Sequence, residues 1–244
     1  MKRSLIVEVS PQPDNVTCGP TCLHSIYRYF GDRVPLQQVI DETRMLEGGG
    51  TLDVFLANHA LQRGYAATIY TYNLQVFDPT WFGQRESDIA GHLRAQSRVK
   101  HSRKLRVATR GYLDFIDLGG RLRFQDLTPT LIRRPLKRQV PILTGLSATY
   151  LYHSMREVPE TCVEDAIHGE PTGHFVVVCG YDAKKRQVQV ADPYRANPFS
   201  ADGRYEVDIR RFVGAVLLGA STYDANLLLI EPRRGSAHGQ PAYH

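Results

Sequence analysis

The stretch from Gln12 to Leu23 constrains this chain more than any other. Its first half cannot be helical, because Pro11, Pro13, Asp14 and Asn15 make a loop. Its second half, Cys18-Gly19-Pro20-Thr21-Cys22-Leu23, opens a helix at a cysteine. The run 21–30 places apolar residues at 22, 23, 26, 27 and 30, a helical period, and stops at Gly31. Pro20 fits a first turn, where its missing N–H would have no partner anyway. A thiol at such a position faces the positive end of the helix macrodipole and unpaired backbone N–H groups, and both favour the reactive thiolate. Gly19 carries no Cβ and leaves room for a substrate backbone. Gln12 stands six positions ahead of Cys18.

A second constellation lies far along the chain. Gly173-His174 opens an apolar strand ending at Gly180-Tyr181, and Val188-Gln189-Val190-Ala191 leads to Asp192-Pro193. The segment 182–186 between the two strands reads as a hairpin turn. Amide chemistry by a thiol needs a thiolate, a proton shuttle, a group that fixes the shuttle's tautomer, and donors for the oxyanion. Cys18 supplies the first and His174 the second. Asp192 is placed to orient the ring through Nδ1, and Gln12 with the Cys18 N–H to hold the oxyanion. Each residue also has an ordinary reading: a core cysteine, a strand-end histidine, an Asp-Pro turn, a loop glutamine. Their order and spacing together carry the catalytic one.

These same motifs resemble the bacteriocin-processing, double-glycine-leader peptidases, a branch of the papain-like cysteine peptidases. The likeness rests on Gln12 before Cys18-Gly19-Pro20-Thr21-Cys22-Leu23, on Gly173-His174-Phe175 through Gly180-Tyr181, and on Val190-Ala191-Asp192-Pro193. It covers the first thirty-odd residues and roughly 172–195. The resemblance implies a papain-like α+β fold and hydrolysis of a peptide or amide bond through a thioester. The functional positions it implies are Gln12, Cys18, His174 and Asp192.

The remaining sequence fits that expectation. With 244 residues and both charge signs spread along it, the chain can bury a core, and a net charge of +5 is modest. Helices come first (21–30, 35–46 and 52–63, the last capped by Thr51), then a strand at 66–72. Strands at 140–144, 175–181, 187–191, 205–207 and 226–230 follow, with a helix at 209–217. That order predicts an α+β domain over 1–231, a helical lobe packed on an antiparallel sheet, with a frayed tail at 232–244. Residues 74–139 are more polar and basic and read as a helical insertion (helices within 85–117 and at 131–138); 150–172 reads as irregular surface. A strand is also expected at 4–9.

The N-terminus lacks the about 7–15 apolar residues of a secretory signal, and no run reaches the roughly 18–20 of a membrane span. The expected location is the cytoplasm. Cys18, Cys22, Cys162 and Cys179 have no zinc-site spacing, and no metal or cofactor is expected. Cys22 and Cys179 read as core. His24 and His59 read as surface or lobe-packing residues. The expected partner is a peptide or protein substrate. Nucleic acid is not expected, because the basic run 94–110 holds few aromatics for base stacking. Two other functions are open: a thiol acyltransferase or transamidase, in which an amine intercepts the thioester and the same four residues serve, and a non-catalytic module that keeps the fold to hold peptides. Such a module would be expected to lose the nucleophile or base that this sequence retains.

Overall fold

The computed structural model describes residues 2–83, 88–159 and 161–233. The chain opens with β1 (Lys2–Ser4), then α1 (Cys18–Tyr29), α2 (Leu36–Glu42), α3 (Asp53–Gln62) and β2 (Tyr65–Thr71). Next come α4 (Ile89–Val99), α5 (Arg103–Asp117), β3 (Arg121–Arg123), α6 (Pro129–Lys137), β4 (Ile142–Ser147) and α7 (Ala148–Tyr152). A small hairpin, β5 (Glu157–Val158) and β6 (Val163–Glu164), precedes the long β7 (Gly173–Asp182). β8 (Gln187–Ala191), β9 (Arg204–Asp208), α8 (Ile209–Leu218) and β10 (Asn226–Pro232) complete it.

The main sheet runs β3-β2-β10-β4-β7-β8-β9, and β1 shares with β4 one edge of β7. Every pair is antiparallel except β2 with β3. The expected α+β architecture is therefore observed. α1 packs against β7 and is buried from Cys18 through Tyr27. A helix buried all round must satisfy its polar groups internally. Thr21 and Ser25 do so by donating hydroxyls to the carbonyls four residues back, at 2.8 and 2.9 Å. Leu23, Ile26 and Tyr27 are fully buried, each contributing about 1.5–3 kcal/mol by leaving water.

Several expectations need correction. The alternation at 4–9 is real in burial, with Leu5, Val7 and Val9 inside, but paired strand covers only Lys2–Ser4. Past it, Arg204 and Arg195 donate to the carbonyls of Val7 and Val9, both at 2.7 Å, in place of a neighbouring strand. Thr51 does not cap α3; its hydroxyl donates to the Arg44 carbonyl at 2.7 Å, and Leu52 holds the cap position. α6 starts two residues earlier than expected, because Thr128 accepts from the Leu131 N–H and Pro129 takes the first turn. The 150–172 segment contains the end of α7 and the β5–β6 hairpin. Of the two readings of His24 and His59, lobe packing holds, since both are buried; Tyr27 OH and Glu42 hold the His59 ring at 2.7 and 3.0 Å. The final strand takes in Pro232, and the expected tail beyond 233 lies outside the described residues.

Gly19 also has a different reason from substrate access. A Cβ there would come within 2.6 Å of Thr51 Cγ2 and 3.2 Å of both Leu56 and Phe175. Its missing side chain lets α1 close on α3 and β7, which fixes where the helix places Cys18.

Candidate active site

The sheet register builds the basic half of the site. Ala191 pairs with Val177, so Asp192 follows opposite Val176, on the face of β7 that carries His174. The two side chains are diagonal neighbours on that face. His174 Nε2 meets Asp192 Oδ1 at 2.8 Å. The ring therefore uses Nε2 on the carboxylate, not Nδ1 as the sequence reading had it. Nδ1 is turned away from the carboxylate, and the Cys18 thiol lies close enough to the imidazole to raise its pKa. The structure pairs His174 with Asp192 and brings Cys18 near enough to the pair to interact with it electrostatically.

Cys18 is the first residue of α1, and no side chain caps that terminus. The leading N–H groups of a helix have no acceptor within it, so the Cys18 N–H is available to a ligand. The approach loop is fixed by Asp14, whose Oδ1 accepts from the N–H groups of Val16 and Thr17 (2.8 and 2.9 Å) and from the Thr17 hydroxyl. Gln12 is anchored beside Asp192, since its N–H donates to the Pro193 carbonyl at 3.0 Å. Its Nε2 donates to the Asp14 carbonyl at 2.7 Å, which uses one of the two amide hydrogens. Its Oε1 is buried with no hydrogen-bond partner among the described residues.

Asp192 is fully buried and accepts four hydrogen bonds. Besides His174, they come from Tyr152 OH at 2.6 Å, Tyr205 OH at 2.7 Å and the Tyr194 N–H at 2.9 Å. Burial alone would raise its pKa, but the His174 charge and these donors outweigh it and hold the carboxyl below the ordinary range. Burial likewise pulls His174 down, yet Asp192 and the Cys18 thiol push it up to about 10. The site thus favours a charged imidazolium against an ionised carboxylate. Cys18 is 9% and His174 7% exposed, so little water reaches the pair to weaken it. One helical turn on, burial pushes the Cys22 thiol well above its usual value, and it donates to the Phe175 carbonyl at 3.2 Å.

Tyr152 and Tyr205 have no sequence signal of their own. Tyr205 arrives because β9 pairs Tyr205 with Val190, two residues before Asp192 and on the same face. Tyr152 arrives because β4 pairs Leu146 with His174 and α7 follows at once. Burial first, then the Asp192 charge, keeps both phenols protonated and donating. Tyr152 and Tyr194 also flank the imidazole, with ring centroids 6.0 and 6.1 Å away. A Tyr152→Phe, Tyr205→Phe double variant should retain a measurable rate while losing about 2–4 kcal/mol of stability. The His174 titration, followed by NMR, should move down in the same variant, because the carboxylate that supports it is less well held. An unmoved His174 titration would show that the phenols only fill space.

No helix among the described residues is long and apolar enough to cross a membrane. No curated protein matches the sequence. Among solved structures, the chain is similar to a candidate C39-like peptidase from Bacillus anthracis (16% identity, 96% of this chain and 98% of that one, TM-score 0.52). It is also similar to xylellain, a cysteine protease from Xylella fastidiosa (14% identity, 96% and 86% covered, TM-score 0.50). Both likenesses concern the fold, and they make it papain-like. The sequence profile of the Peptidase_C39 like family matches residues 4–215, and the chain belongs to that family of papain-like cysteine peptidases.

Proposed function

We propose that the chain hydrolyses peptide bonds with Cys18 as nucleophile, His174 as acid–base, Asp192 as the group that orients His174, and Gln12 as an oxyanion donor. His174 Nδ1 takes the Cys18 proton, and the sulfur attacks the scissile carbonyl carbon. The oxygen's developing charge is held by the Cys18 N–H and by the second amide hydrogen of Gln12. The imidazolium then protonates the leaving amine, which departs and leaves a thioester on Cys18. Water, deprotonated by His174, attacks that thioester; the acid leaves and Cys18 is restored. The single observation that supports this reading is the buried His174–Asp192 pair, whose imidazole also feels the Cys18 thiol at the head of α1. In this account 1–231 act as one unit, with 74–139 an insertion that adds β3 to the sheet.

Digestion of a peptide library by the full chain, read by mass spectrometry, tests it. New termini should appear with wild type and be absent with Cys18→Ala. Equal cleavage by the variant would end the proposal. Products capped by an added amine, in place of free acids, would move the reading to acyl transfer.

A further inference from the structure

Three strands away from His174, the sheet carries a second built feature. On one face, Arg121 pairs with Thr68, which pairs with Leu229 on its other side; Arg123, Tyr70 and Leu227 form the next row. α6 borders these rows, and a cavity of about 300 Å³ lies between them. The buried Leu227 and Leu229 form its floor on the sheet, and Leu131 and Pro135 of α6 also line it. Arg134 and Arg138 point in from the same helix.

Four guanidiniums therefore face one cavity, and every cation lining it is an arginine. A single carboxylate answers them: Glu231, 3.4 Å from Arg138. Arg121, Arg123 and Arg134 make no ion pair among the described residues. Gathering like charges costs the free protein stability, here both along one face of β3 and at the i, i+4 spacing of α6.

We propose that this cavity binds a small phosphorylated organic molecule, its phosphate between Arg121, Arg123 and Arg134 and its organic body over Tyr70 and the leucine floor. A carboxylate is matched by one guanidinium fork, whereas a phosphate dianion accepts from two or more. The volume lies at the lower end of the about 300–1,000 Å³ typical of small-ligand sites. The site does not depend on the thiol chemistry.

Calorimetric titration of the full chain at low salt with ATP, tripolyphosphate, adenosine and hexaglutamate tests the assignment. ATP should bind, tripolyphosphate more weakly, adenosine and hexaglutamate not measurably. Arg123→Gln with Arg134→Gln should weaken ATP by about tenfold or more. Glu231→Gln should tighten it by freeing Arg138, and Cys18→Ser should leave it unchanged. No saturation by ATP below about 1 mM would overturn the proposal. So would ATP binding that ignores the arginine and Glu231 substitutions, tripolyphosphate binding as tightly as ATP, or hexaglutamate binding more tightly.

Discussion

A His174→Ala variant is expected to lose peptide-bond cleavage by about ten-thousand-fold or more in kcat/KM, and a Cys18→Ala, His174→Ala double variant should be no worse than the worse single one. The reason is that the two side chains act as one unit. His174 Nδ1 serves no purpose without a thiol to deprotonate, and the thiol loses both its base and its counter-charge when the ring goes. The Cys18 N–H survives in the variant, so a residual rate from oxyanion binding should remain above the uncatalysed reaction. Steady-state kinetics on a substrate found by library digestion would show it. Additive losses in the double variant would mean that Cys18 and His174 serve different steps.

The second large effect concerns Asp192. Its carboxylate is the acceptor for His174, Tyr152, Tyr205 and the Tyr194 N–H in a fully buried position. Asp192→Ala removes all four contacts at once and leaves a buried imidazolium unpaired, so a loss of about 3–5 kcal/mol is expected. Asp192→Asn keeps the shape, and serves if the alanine variant does not fold. The effect has a pH signature. His174 ordinarily titrates near 6.5 and here near 10, so between those values the folded state holds a proton that the unfolded chain releases. Its contribution is complete below about pH 6.5 and is lost as pH rises toward about 10. Asp192, depressed, contributes above its ordinary value and loses that contribution in acid. Denaturant melts from pH 6 to 10 should therefore fall steeply in wild type and less steeply in Asp192→Asn; parallel profiles would contradict the ion pair.

The residues that approach one another were legible in the sequence where local pattern decides the matter. Cys18, His174 and Asp192 each lie at an element boundary marked by Gly, Pro or a change of period, and Gln12 lies in the proline-flanked loop before α1; such features can be read from one chain. The nitrogen His174 turns to Asp192 could not be read, because it follows from the register of β7 on β8. Tyr152 and Tyr205 were silent for the same reason: a tyrosine in a strand or a short helix is ordinary until pairing sets it two residues from a buried carboxylate. The 4–9 segment shows the reverse. Its alternation correctly reports which side is buried, but not that arginine side chains 186 and 197 residues away take the place of a strand. Gly19 carried a true signal with another cause, helix packing, which appears only once Thr51 and Phe175 are in place.

The most direct test is the rate of Cys18 alkylation by iodoacetamide at pH 6, followed by mass spectrometry in wild type and in His174→Ala. Wild type should label at Cys18 about tenfold faster or more than the variant, with the buried Cys22 and Cys179 untouched in the folded protein. Equal rates in the two proteins would contradict an activated thiol at the head of α1, and with it the peptidase mechanism drawn from this site.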